Sequence, residues 1–225
     1  MLSSALRREK SERATDHATS GVRLPRLWVL VGPEHDPAVA GALASVGVRG
    51  FQVRDKDGGD AAVLAHARRV IAAVRPHGAS VVVDDRVDVA LAAGADGVHV
   101  GADDLPVADV RRLAPHLLVG ATCRGPADVR AARETGADYA GVGPVRASRS
   151  KPGLPAPLGV EAIAACARAE AAAPAPLPLV AIGGVDAGTA LRCRAAGAHG
   201  VAVIGALWDP PDPLVAAQEL LTAVR

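Results

Sequence analysis

Aromatic residues are nearly missing from this chain of 225 residues, which holds one Phe, one Tyr and two Trp. So few rings leave no stacking platform for a single-stranded nucleic acid. Charge of one sign is also lacking. Lys and Arg number 25 against 24 Asp and Glu, for a formal net charge of +1, and no basic run stands out in the globular part. An electrostatic surface for nucleic acid or membrane is therefore not expected. Cysteine is limited to Cys123, Cys166 and Cys193, with no CxxC pair. That spacing argues for a reducing compartment and against a disulfide framework or a zinc knuckle. No apolar run is long enough to span a bilayer. The N-terminus, with Arg7, Arg8, Glu9, Lys10 and Glu12, has no hydrophobic signal core. A cytoplasmic protein is expected.

What the chain does have is aliphatic bulk, with 50% hydrophobic residues, enough for a sizeable core without cross-links. The length suits a single closed α/β barrel, a fold of about 200 to 250 residues. Residues 1–23 are polar, mixed in charge and weakly periodic, so they are expected to form a mobile tail ahead of a domain spanning 24–225. Short β-branched or apolar runs predict strands at Arg26–Val31, Arg49–Val53, Ser80–Val83, Gly97–Val100, Leu117–Gly120, Tyr139–Val142, Pro178–Ile182 and Val201–Ala206. Asp36–Val46 and Asp88–Ala93 read as helices. Four similar punctuations, Gly47–Gly50, Gly94–Gly97, Gly136–Tyr139 and Gly197–Gly200, each close an Ala-rich segment and open a strand. A glycine that stops a helix and turns directly into a strand is αβ-loop chemistry. Eight such alternating units predict a (βα)8 TIM barrel rather than an open doubly wound sheet.

In parallel βα architectures the C-terminal ends of the strands share one face, where the chemistry sits. Ser80–Pro106 delivers two carboxylate pairs there, Asp84–Asp85 and Asp103–Asp104. Such a cluster suits a hard cation such as Mg2+; the alternative is that Asp85 and Asp103 cap the helices that follow. Strand periodicity puts Gln52, Arg54 and Lys56 on one face. Inside a barrel these need an anionic ligand, or Arg54 pairs with an Asp of the next strand. Glycines at Gly183-Gly184 and Gly205, after the seventh and eighth strands, suit a phosphate held by backbone N–H groups, with turn geometry alone as the alternative. Ser148-Arg149-Ser150-Lys151, in a long Pro- and Ser-rich loop, suits a second phosphate or a solvated surface. His99 could face the site, but no histidine shares a metal-ligand spacing with another. The Ala/Pro segment Ala169–Pro178, at the opposite end, reads as an inert insertion.

A cation cluster, a strand of basic residues and two separate phosphate positions suit two phosphorylated small molecules joined with loss of pyrophosphate. At this point the sequence resembles the thiamine-phosphate synthase family. The likeness runs from Leu24 to the C-terminus through ordered motifs: FQVRDK, VVDDRVDVALAAGADGVHVGADDLP, GADYAGVGPV, SRSKPGLPAPLG, AIGGV and GVAVIGA. The resemblance implies an enzyme, a transferase that couples hydroxymethylpyrimidine diphosphate with a thiazole phosphate to give thiamine phosphate and pyrophosphate, with Mg2+ as cofactor. It assigns Gln52, Arg54, Lys56, Asp84, Thr122 and Lys151 to the pyrimidine diphosphate. Arg54, Lys56 and Lys151 assist departure of pyrophosphate. Asp85 and Asp104 fall to the metal, and Ser148, Arg149, Ser150, Gly184, Ile204 and Gly205 to the thiazole phosphate. The partners are phosphorylated small molecules, and the composition is compatible with a homo-oligomer.

The chain departs from the family pattern at Asp84, where Asn is usual, at Thr122, where Ser is usual, and in its S-R-S-K loop, where T-x-T-K is typical. Asp84 adds a negative charge beside the metal position and removes an amide donor. A thiazole tautomerase of the same fold is disfavoured, because Asp85 and Asp104 persist and Arg124 stands where that branch carries its catalytic His. A non-catalytic sensor of a thiamine precursor would not require a leaving-group lysine such as Lys151. Other phosphate-binding barrel enzymes share only the glycine cradle.

Overall fold

The computed structural model describes residues 24–147 and 155–225. The expected tail at 1–23, and the sites at Ser148, Arg149, Ser150 and Lys151, lie outside the described residues. Eight parallel strands close into one barrel in sequence order. They are β1 (Leu27–Val31), β2 (Gly50–Val53), β3 (Ser80–Asp84), β4 (Gly97–Val100), β5 (Leu118–Cys123), β6 (Tyr139–Val142), β7 (Leu179–Ile182) and β8 (Gly200–Val203). The helices between and after them are α1 (Pro37–Ser45), α2 (Asp60–Val74), α3 (Val87–Ala93), α4 (Val107–Leu113), α5 (Pro126–Thr135), α6 (Gly159–Glu170), α7 (Ala187–Ala195), α8 (Gly205–Trp208) and α9 (Pro213–Ala223). Among the described residues no helix is long and apolar enough to cross a membrane.

The β-branched runs serve the outer layer. Val29, Val31, Val53, Val81, Val83, Val98 and Val119 point outward and are buried against Ala-rich helix faces. Their partners on alternate positions point inward, where space is scarce. The interior cluster is Trp28, Leu30, Val82, Tyr139, Val180 and Ala202, with the Trp28 and Tyr139 rings stacked at 5.7 Å. Two of the chain's four aromatic residues thus meet on the axis, and glycines on neighbouring strands make room for them. A Cβ on Gly50 would stand 2.7 Å from the Trp28 ring, and one on Gly120 would stand 2.2 Å from Tyr139 Cζ. Large beside small is how interlocking layers fill so narrow a barrel.

The glycine punctuation does what an αβ loop requires. Gly47, Gly94, Gly136 and Gly197 all lie at positive φ, where an L side chain is strained. The Asp that follows in two of these motifs has a further role. Asp96 Oδ2 accepts from Val81 N at 2.8 Å, and Asp138 Oδ2 accepts from Val119 N at 2.7 Å. Each carboxylate ties the base of its own strand to the base of the strand before it. Arg111 adds to this, donating to the carbonyls of Gly136 and Leu117 and to the Asp138 carboxylate.

Three expectations need correction. The eighth strand ends at Val203, because Ile204 leaves extended geometry (φ −132°, ψ −78°) to open α8. Asp85 and Asp103 are not helix caps: α3 starts from Arg86 and α4 from Pro106. The segment before β7 is not inert, since α6 runs to Glu170, whose buried carboxylate accepts from Leu177 N at 2.9 Å and pairs with Arg133 at 3.1 Å.

Candidate active site

Of the inward positions, those at the C-terminal end are polar. Gln52, Asp84, His99 and Thr122 follow Gly50, Val82, Gly97 and Gly120 on the same faces of β2 to β5, and they form the floor of a cavity of about 880 Å³. Arg54, Lys56, Asp85 and Asp104 line its wall, with Gly184, Ile204 and Gly205 opposite. Every site residue expected from sequence that falls within the described residues therefore borders one cavity.

Both readings of Arg54 hold together. It faces the cavity, and its Nε lies 3.5 Å from Asp84 Oδ2. Asp84 also takes Gln52 Nε2 at 2.7 Å and stands 3.5 Å from Lys56 Nζ. Lys56 donates to Asp85 as well. Burial works against charge on Lys56, but the Asp85 hydrogen bond and the charges of Asp84, Asp85 and Asp104 outweigh it and raise its pKa. It is a fixed cation.

Asp85 is the one non-glycine described residue at positive φ (66°), a turn that follows β3 without a break. Burial, then the charge of Asp84, then a hydrogen bond with Asp104 push its carboxyl up to about 6. Asp104 goes the other way. Burial opposes its ionisation but is outweighed by the Asp85 hydrogen bond and by Gly101 N, which donates at 2.7 Å. The two carboxyl groups meet closely enough to share a proton. Two oxygen-donor side chains in mutual contact at a cavity wall fit Mg2+, which takes one or two carboxylates and completes its shell with water and substrate phosphate. No third His, Cys, Asp or Glu joins them into a larger metal cluster among the described residues. Asp103 borders the cavity but stays exposed.

His99 is 7% exposed, and burial holds it below the ordinary imidazole pKa, hence neutral. Its Nδ1 is 3.1 Å from Tyr139 Oη and its Nε2 is 3.1 Å from Thr122 Oγ1. The buried Tyr139 hydroxyl has no other partner among the described residues. Leaving its proton without an acceptor would cost about 1 to 3 kcal/mol, so the hydroxyl donates to Nδ1. Nε2 then carries the ring proton and donates to Thr122. The sequence shows only that His99 could face the site; its relay partners lie on two other strands, beyond the reach of local pattern.

The glycine cradle is built by close backbone approach. Gly183 and Gly184 lie at φ 90° and 63°, and a Cβ on Gly184 would stand 2.5 Å from Ala147 O. In α8 the Leu207 and Trp208 N–H groups bond to Ile204 O, while those of Gly205 and Ala206, in the first turn, have no intrahelical acceptor. Trp208 Nε1 donates to Leu30 O at 2.8 Å and anchors the helix to β1. Arg124 also borders the cavity, and no motif singled it out as a ligand group. The cysteine thiols take no part: burial pushes Cys123 up to about 12 and Cys193 up to about 11.

A sequence profile described as thiamine monophosphate synthase matches residues 29–207. The chain belongs to that family. It is 46% identical over 202 residues to the thiamine-phosphate synthase of Anaeromyxobacter dehalogenans, covering 89% of this chain and 88% of that one. It is 48% identical over 200 residues to the thiamine biosynthesis bifunctional protein ThiM/ThiE of Symbiobacterium thermophilum, covering 88% of this chain but 41% of that longer protein. Among solved structures, the thiamine phosphate pyrophosphorylase of Pyrococcus furiosus superposes with a TM-score of 0.77 at 30% identity, covering 88% of this chain and 95% of the other. By this membership the protein is an enzyme of the transferase class, as the resemblance implied. Barrels of lower identity, such as the native KDPGal structure (17%, TM-score 0.65), share the fold alone.

Proposed function

We propose that the protein joins hydroxymethylpyrimidine diphosphate to a thiazole phosphate, forming thiamine phosphate and releasing pyrophosphate with the help of Mg2+. The observation that carries this reading is the single cavity in which Gln52, Arg54 and Lys56, the Asp85–Asp104 pair and the Gly184–Gly205 cradle all converge. Asp85 and Asp104 would hold the metal, which when bound would offset the charge of the diphosphate. Arg54 and Lys56 grip the same group, and Lys151 meets the leaving pyrophosphate.

Departure of pyrophosphate leaves a pyrimidinylmethyl cation, stabilised by the electron-rich aminopyrimidine and captured by the thiazole nitrogen. The protein has only to neutralise the leaving group and hold the partners in line. No covalent nucleophile is needed, in keeping with thiols that stay protonated. The thiazole phosphate rests on the N–H groups of the cradle, and the resemblance adds Ser148, Arg149 and Ser150 to its ligands. The function, the metal and these roles are tested together by pyrophosphate release from the two substrates, first with Mg2+ and then with EDTA. Metal-dependent release with thiamine phosphate formed is expected. Tight thiazole-phosphate binding without release would overturn coupling and favour the tautomerase or sensor.

A further inference from the structure

The helix α8 is a single turn, closed on itself by Leu207 N and Trp208 N on Ile204 O and by Asp209 N on Gly205 O. So short a helix does not keep its place unaided, yet Ile204, Gly205 and Ala206 form the β8 side of the cavity. Leu207 is buried in the core behind them. Trp208 is held twice. Its Nε1 donates to Leu30 O at 2.8 Å, and its ring lies against the His35 imidazole with centroids 4.2 Å apart and planes within 11° of parallel.

His35 belongs to the loop between β1 and α1, and that loop holds its ring still. His35 N donates to Gly32 O at 3.1 Å, and Gly32 N donates back to His35 Nδ1 at 2.8 Å. Nδ1 is thus the acceptor of a neutral imidazole, and Nε2 carries the proton, 3.5 Å from Glu34 Oε1. Burial, joined by His66, outweighs Glu34 and Asp209 and lowers the His35 pKa, so the neutral form persists. The next residue, Asp36, caps α1 by accepting from Ala38 N at 2.9 Å. The ring is therefore tied to the end of β1 and its backbone to the start of α1, and one ring face is given to Trp208. Neither His35 nor Trp208 borders the cavity.

We propose that His35 is a positioning residue for the thiazole phosphate, and that its ring, pressed on Trp208, keeps α8 and the cavity wall it forms at a fixed distance from Gly184. A phosphate held by N–H groups of two separate segments is sensitive to their spacing, because hydrogen bonds weaken steeply as distance and angle are lost. The diphosphate, gripped from β2 to β4, does not depend on α8, so the effect falls on one substrate. This inference rests on the thiazole-phosphate reading given above.

The test is steady-state coupling by the full chain with Mg2+, each substrate varied in turn, beside calorimetric binding of the thiazole phosphate alone. His35→Asn keeps an acceptor for Gly32 N but removes the ring. It should raise the KM and Kd for thiazole phosphate by about 3- to 10-fold, the worth of one stacked pair. The KM for hydroxymethylpyrimidine diphosphate should stay unchanged. His35→Phe, which restores a ring, should recover most of the loss. In a Trp208→Ala background His35→Asn should add nothing, because its effect passes through that ring. His35→Leu, which has no ring face, takes the place of His35→Asn if that variant fails to fold. A merely structural role would reduce the folded enzyme, and with it kcat, and leave both KM values unmoved. That result, equal losses for both substrates, a Phe variant as weak as the Asn one, or additive effects in the double variant would overturn the proposal. Coupling by the wild type with thiazole-phosphate affinity unmoved in the folded variants would overturn this inference alone. A wild type that neither couples nor binds the thiazole phosphate would overturn the reading on which it rests.

Discussion

The carboxylates at the two ends of this barrel are the same chemical group put to opposite uses. At the base, Asp96 and Asp138 accept main-chain N–H groups of the neighbouring strand and lean on Arg75 and Arg111. At the rim, Asp84 meets only side chains, and Asp85 and Asp104 meet each other. Exposure does not explain the difference, since the Asp138 side chain is 36% exposed and that of Asp84 only 9%. What differs is whether the partner already completes the group. Asp96 and Asp138, each held between a backbone N–H of the strand before and an arginine, have their partners already and stabilise the fold. Asp85 and Asp104 still crowd each other at a cavity wall, in spite of Lys56 and Gly101 N, and the Asp85 carboxyl is pushed up to about 6.

The largest effect should come from Asp104→Ala, which should lower coupling by about 10² to 10³-fold, as loss of a metal ligand would, with thermal unfolding nearly unchanged. Asp104→Asn serves as a control, since its amide oxygen can still accept from Gly101. Normal turnover with unchanged Mg2+ dependence in either variant would sink the metal assignment. Lys151→Ala should slow single-turnover chemistry by about 10²-fold, whereas a defect in substrate affinity alone would count against its leaving-group role.

Next comes the layer between the two ends. Gly120→Ala drives a methyl into Tyr139 and His99. A loss of about 2 to 3 kcal/mol in urea unfolding is expected, together with a fall in kcat because the Thr122 relay is displaced. At the base, Asp138→Ala leaves Val119 N–H and Arg111 without their acceptor and should cost about 2 kcal/mol, lowering Tm by about 4 to 8 °C. Activity per folded molecule should be unchanged. Asp138→Asn keeps an acceptor and should show the smallest shift, about 1 kcal/mol or less. If Asp138→Ala impaired coupling in folded protein, the division between base and rim would fail.

Much of this was readable in advance. Gln52, Arg54 and Lys56 could be placed on one face because a strand has period two, a local property. The helix-stopping glycines were readable because their backbone demand is local too. Asp84 was harder. Its neighbours in sequence suggested a metal cluster, yet its partner Gln52 is 32 residues away and is brought opposite by the β2–β3 register, in which Gln52 pairs with Val82. The His99 relay spans β4, β5 and β6 in the same way. Glu170 was missed because a carboxylate at the end of an Ala-rich helix looks solvated until Arg133 and Leu177 N are found beside it.

The alternation of strand and helix, the count of eight units and the face on which the chemistry-bearing side chains lie all follow from local periodicity and from glycines at positive φ. Which groups pair with one another follows from the folded barrel: Asp84 with Gln52, Asp85 with Asp104, Tyr139 with His99 and Thr122, and Asp138 with Val119. Hydrogen bonds and ion pairs act over a few ångströms, and in a closed barrel that distance is set by the register between strands far apart in the chain.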